Sequence, residues 1–71
     1  MIQCHLTPDT DGWKLTSEGS RAVIDVFRTK EDGVQSGSHI ITGRHRSGGS
    51  LKIHKSDGTL EEVHIFPALG M

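Results

Sequence analysis

Five histidines in 71 residues are the groups here best suited to chemistry. Imidazole can ligate a metal, pass a proton, or titrate near neutral pH. His5, His54 and His64 each occupy the polar phase of a stretch that alternates polar and apolar residues. If those stretches are neighbouring strands, the three rings share one sheet face. Such a cluster would suit zinc, which takes imidazole nitrogen at about 2.0–2.1 Å. The short paired spacings of zinc sites are missing, so neither a metal nor a cofactor is expected. The plainer reading is three half-exposed strand residues, with a pH-sensitive patch between the two extremes.

The remaining reactive groups weigh against catalysis. The single Cys4 shares its phase with Ile2 and Leu6 and reads as a buried, inert small hydrophobe. His5 is adjacent in sequence but points to the opposite face, so it cannot activate that thiol. Asp9, Asp11 and Asp25 form no acid–base pair, and no Ser–His–Asp set can be assembled. No catalytic residue is expected, and the chain is not read as an enzyme. Arg44, His45 and Arg46, with Lys52 and Lys55, could form a basic patch for phosphate or nucleic acid. Glu61 and Glu62 would oppose Lys52 and Lys55 from the partner strand. The chain also has only three aromatic residues for base stacking. Gly48-Gly49 lacks the following Lys-Ser or Lys-Thr of a phosphate loop.

Positioning these groups falls to one small domain spanning residues 1–71, with an ordered core over about 2–66 and a loose tail at 67–71. So short a chain buries only about 60% of its unfolded surface, and pairing of two copies is a common remedy. A net charge of −1 gives no long-range attraction to nucleic acid or anionic membrane. No apolar run approaches the roughly 20 residues that span a bilayer. The first residues lack the basic-then-apolar order of a signal peptide. One cysteine cannot make an internal disulfide. A cytoplasmic protein without membrane attachment is expected.

Alternation predicts a first strand over 2–7, ended by Pro8. A turn at Asp9–Gly12 and a second strand from Trp13 to Thr16 complete a hairpin, with Trp13 and Leu15 facing the core. After a turn at Glu18–Ser20, Ala22–Phe27 is a third strand. Asp25 argues that Ala22, Ile24 and Val26 face the core and that Phe27 lies near an edge. Thr29 caps a helix that Gly43 ends. Gly33 and Gly37 lie mid-way along its apolar arc with Val34, Ile40 and Ile41, which lets its backbone approach the sheet. Ser50–His54 and Leu60–Phe66 are the last strands, joined by a tight Ser56-Asp57-Gly58 turn. Leu60 is out of phase, which signals a bulge or a strand that starts later; Val63 and Ile65 share a face. The class is α+β: βββαββ, a mostly antiparallel five-stranded sheet with one helix packed on one face. The uncovered face is expected to carry Gln3, His5, Lys14, Thr16, Lys52, His54, Glu62 and His64.

Several segments in this order resemble one family. They are Thr7-Pro8, Asp11-Gly12-Trp13-Lys14-Leu15, Glu18-Gly19, Thr29-Lys30-Glu31-Asp32, Gly48-Gly49, Leu51-Lys52-Ile53-His54, Asp57-Gly58 and Glu61-Glu62. Together they resemble the small bacterial family known as DUF2188, over about residues 5–66. The glycines and serines of the helix, and a slightly longer stretch from Thr29 to Leu51, depart from its usual pattern. The resemblance supports the fold read from the residues and implies no activity, since that family has no assigned catalytic residues.

The function expected from the residues is a non-enzymatic accessory or interaction module that pairs with a second copy. The third and fifth strands, with Phe27 and Phe66, are the candidate edges for that pairing. The alternative is a nucleic-acid or phosphate binder using Arg44, Arg46, Lys52 and Lys55.

Overall fold

Five strands and one helix follow in the order β1 (Ile2–Asp9), β2 (Gly12–Ser17), β3 (Val23–Phe27), α1 (Lys30–Arg44), β4 (Gly49–His54) and β5 (Leu60–Phe66). This computed structural model describes residues 2–20, 22–44 and 47–68, apart from the side chain of Arg44. The sheet order is β3-β2-β1-β4-β5. The β1–β2, β2–β3 and β4–β5 pairs are antiparallel; β1 and β4 are parallel. That parallel pair is where the helical crossover returns the chain to the middle of the sheet. The two edges are therefore β3 and β5, the strands that end in Phe27 and Phe66.

The helix forms despite a glycine- and serine-rich sequence because its ends and side chains are locally satisfied. Thr29 Oγ1 accepts the Asp32 N–H at 3.1 Å, a cap on one of the free first-turn donors. Glu31 and Asp32 add negative charge at the positive end of the dipole. Ser38 and Thr42 donate their hydroxyls to the carbonyls of Val34 and Ser38, one turn back, which satisfies those hydroxyls without strengthening the helix. Gly33, Gly37 and Ile41 form the buried stripe. Beneath it lie Cys4, Leu6, Leu15, Leu51 and Ile53, all fully buried with Ile41. A Cβ at Gly33 would sit 2.8 Å from Leu6 Cδ1, and one at Gly37 would sit 3.3 Å from Leu51. The two glycines bring the backbone down onto the sheet, as their spacing predicts.

The helix touches every strand but lies chiefly over β1, β2 and β4. This narrow cover corrects two expectations of facing. On β3, Val26 pairs with Lys14 and Val23 with Thr16, which turns both valines to the uncovered face. Phe27 pairs with Trp13 and packs against the core instead. A register shift beside Leu15 and Thr16 leaves Ile24 exposed as well. The expected core set of Ala22, Ile24 and Val26 is thus on the outside. On β5, Leu51 pairs with His64 and Ile53 with Glu62, so His64 and Glu62 stand on the helix side. Val63 and Ile65 take their places on the uncovered face. Each edge strand is phased by its one phenylalanine: the larger ring takes the partly covered core position, and the smaller aliphatic side chains follow to the other side. The expected bulge near Leu60 is present, as a register shift at Ile53/His54.

Candidate functional site

The centre of the uncovered face is polar and is built by β1, β2 and β4. Parity on β1 sends Gln3, His5 and Thr7 outward. On β4 it does the same for Lys52 and His54, and the β1–β4 register sets His5 beside Lys52. Lys14 and Thr16 project from β2, opposite Thr7 and His5. Glu18 follows at the next outward step after Thr16, held by its N–H donating to Gln3 O at 2.7 Å.

These residues form a hydrogen-bonded chain. His5 Nδ1 lies 2.8 Å from His54 Nε2. The ring centroids are 5.0 Å apart, only about two ring radii more than that contact, so the rings meet edge to edge. His54 Nδ1 lies 3.1 Å from the carbonyl of Gly58, and His5 Nε2 lies 3.1 Å from Glu18 Oε1. Lys52 Nζ donates to Gln3 Oε1 at 3.0 Å and reaches Glu18 Oε1 at 3.4 Å.

The partners dictate the protons. A carbonyl only accepts, so His54 Nδ1 carries hydrogen and its Nε2 is the bare acceptor. His5 Nδ1 must then donate to it. Ionised Glu18 also only accepts, so His5 Nε2 must donate as well. Every contact is satisfied when three of the four ring nitrogens are protonated, which gives the pair one positive charge. With no extra proton, two lone pairs face each other somewhere along the chain. With a second extra proton, two N–H groups collide between the rings. The His5 and Lys52 bonds in turn hold the Glu18 carboxyl below the usual glutamate range.

Beside this chain the face dips into a shallow concavity of about 760 Å³. It is walled by His5 and His54, the lysines Lys14 and Lys55, and Thr7, Thr16 and Ser56. Every ionisable residue on the wall is basic. Thr7 Oγ1 is buried and has no hydrogen-bond partner among the described residues. Asp57, in the adjoining turn, faces its own loop; its carboxylate accepts from the Thr59 N–H and hydroxyl, which lowers its pKa. Gly58 makes that turn with φ near 90°.

Of the expected site residues, His5 and His54 are brought together and His64 is not. His64 Nε2 lies 3.0 Å from Glu62 Oε2 on the helix side, where Lys30 bonds both Glu61 and Glu62. His64, and then Lys30, lower the Glu62 carboxyl. Glu61 foremost raises the Lys30 ammonium. The carboxylate opposing Lys52 is therefore Glu18, not Glu61 or Glu62. Lys52 lies on the uncovered face and Lys55 just beyond β4, whereas Arg44 closes the helix on the other side of the sheet. His45 and Arg46 lie outside the described residues, as does the Arg44 side chain. Cys4 is sealed in the core, and burial pushes its thiol pKa up.

Glu18 was the participant hardest to read in the sequence. Its Gly19-Ser20 neighbours mark a turn, yet the β2 alternation of Lys14 and Thr16 continues one step to reach it. Among the described residues, no three or more His, Cys, Asp and Glu side chains converge on one point as metal ligands do. No helix among them is long and apolar enough to cross a membrane.

The family described as "Uncharacterized protein conserved in bacteria (DUF2188)" has a model that matches residues 4–66. The chain belongs to that family. No curated protein and no solved structure matches it.

Proposed function

We propose that this DUF2188 member is a non-enzymatic interaction module that works as a homodimer, two copies joining antiparallel through β5. The observation that carries the reading is the placement of its exposed large aliphatic side chains. Among the described residues, all six belong to the edge strands: Val23, Ile24 and Val26 on β3; Leu60, Val63 and Ile65 on β5. Edge strands normally carry charge or irregularity that blocks further pairing. On β5 the charge of Glu61 and Glu62 and the register shift are confined to its first residues; it is the longer edge, and Ile65 near its end is 73% exposed.

A two-fold axis at Val63 supports this edge over β3. It sets Leu60 against Phe66, Glu61 against Ile65 and Glu62 against His64 of the second copy, so a carboxylate faces an imidazole on the helix side. Burying the rest of Leu60, Val63 and Ile65 on both copies is worth about 5–9 kcal/mol. Association costs about 4–15 kcal/mol. The two are of the same order, so the dimer forms in a concentration-dependent way and the protomer keeps its own fold.

Light scattering coupled to size-exclusion chromatography tests the reading. The protein should move from monomer to dimer as concentration rises, and Ile65→Lys should hold it monomeric with unchanged circular dichroism. A strict monomer at millimolar concentration removes the reading.

A further inference from the structure

We infer that the concavity on the uncovered sheet face is a binding site for the phosphate group of a small phosphomonoester. Four observations meet there. Lys14 and Lys55 line it, and among the described residues neither is paired with a carboxylate. The His5–His54 pair on its wall satisfies its own hydrogen bonds only when it carries one positive charge. Thr7 Oγ1, on the same wall, is buried without a partner. Its volume of about 760 Å³ lies within the usual range for small-ligand sites.

The chemistry selects the ligand. The wall offers the Lys14 and Lys55 ammonium groups and hydroxyl donors, beside an imidazole pair whose own N–H groups are already engaged. A monoester phosphate brings about two negative charges and three terminal acceptor oxygens, which suits such a wall better than a single-charged carboxylate does. The nearest negative charge, Glu18, is engaged by His5 and Lys52. A nucleic-acid strand fits poorly. Its phosphates need a track of cations, whereas these are gathered at one end of the face and flanked by aliphatic edges. The helix-side hollow is no rival, because its Lys30 is held by Glu61 and Glu62. The site lies within one protomer, so it does not depend on the dimer.

The test is an NMR titration of the ¹⁵N-labelled protein with inorganic phosphate, with adenosine monophosphate and with a short single-stranded oligonucleotide. Sodium chloride at matched ionic strength is the control. Phosphate and the nucleotide should shift the His5 and His54 imidazole signals and the Thr7 amide saturably. Equal affinity would mean that the phosphate alone is read; tighter binding of the nucleotide would mean that the rest of the ester contributes. The double variant Lys14→Ala/Lys55→Ala should weaken binding by about tenfold or more. Thr7→Val, close in shape, should weaken it with the fold retained. Shifts no larger than those from chloride would overturn the inference, as would saturable binding by the oligonucleotide alone or full affinity in the double variant.

Discussion

The three helix glycines Gly33, Gly37 and Gly43 should respond differently to alanine, and the order can be worked out from what each new Cβ meets. In a helix interior, Gly→Ala gains about 1 kcal/mol from backbone entropy. Gly43 has nothing within 4 Å of the added carbon. It lies in the last turn, so Gly43→Ala should stabilise by about 0.5–1 kcal/mol. At Gly37 the methyl would lie 3.3 Å from both Leu51 Cδ atoms and 3.5 Å from Leu15. Those side chains need move only slightly, and the change should be near neutral. At Gly33 the methyl would lie 2.8 and 2.9 Å from the two Leu6 methyls and 3.3 Å from Phe27. Rotating Leu6 exchanges one clash for the other, and Leu6 is fully buried. Overpacking costs about 1–3 kcal/mol, so Gly33→Ala should be destabilising by about 1 kcal/mol net. For a domain this small, that is about 4–8 °C in Tm. Urea denaturation followed by circular dichroism, compared at constant slope, measures the series. A double-mutant cycle with Leu6→Ala isolates the contact: the second alanine removes both methyls, so the loss at Gly33 should largely vanish in that background. Gly33→Ala as stabilising as Gly43→Ala, or a cycle with no coupling, would refute the seating of this helix on Leu6.

Two further outcomes follow from the core and the site. Cys4→Ser should cost about 1–3 kcal/mol, because it places a hydroxyl without a partner in the apolar core; the native thiol should react with alkylating reagents only as fast as the fold opens, and rapid labelling of folded protein would contradict its burial. Glu18, its carboxyl lowered first by His5 and then by Lys52, contributes stability that is present above the ordinary glutamate range and lost as pH falls through the lowered value. His5→Ala should move that carboxyl back up while Lys52 keeps part of the shift, and a carboxyl ¹³C titration in which Glu18 does not move would show that the His5 bond is not made.

The elements were legible because local signals agreed with one another. The alternation of β1, the Thr29 cap and the Asp57-Gly58 turn each have one physical solution, and the sheet and helix adopt it; only the expected stop at Pro8 is corrected, since β1 runs on to Asp9 with Pro8 opposite Trp13. The approach of Gly33 and Gly37 was legible for the same reason: glycine four residues from glycine on an apolar arc has little other use. The phases of β3 and β5 were not legible by counting apolar residues. On β3, Asp25 points the wrong way: it stands opposite Leu15 on the helix side yet stays exposed; on β5, Val63 and Ile65 outnumber Phe66. Counting is reliable only where one face is fully covered, and an edge strand beyond the helix has no such face. There a single aromatic ring that reaches the core decides the phase. His5 and His54 lie on central strands, where alternation alone gives their facing. His64 lies on an edge, where alternation alone does not.

The narrowness of the helix links these misreadings to the proposals. One helix cannot shield five strands. It lies over β1, β2 and β4, and both phenylalanines pack against the core beneath it. Phasing the edge strands by those rings turns Val23, Val26, Val63 and Ile65 to the opposite face. That face is consequently aliphatic at both margins and polar at its centre, where His5, His54 and the lysines meet. A wider helical layer would have covered β5, and there would be no reason to expect a second copy at that edge. The two surfaces are separable in principle. Ile65→Lys should abolish pairing and leave phosphate binding intact, and Lys14→Ala/Lys55→Ala should do the reverse. Loss of both properties in either variant would mean that margin and centre are not independent, and the division of this face into two working surfaces would be wrong.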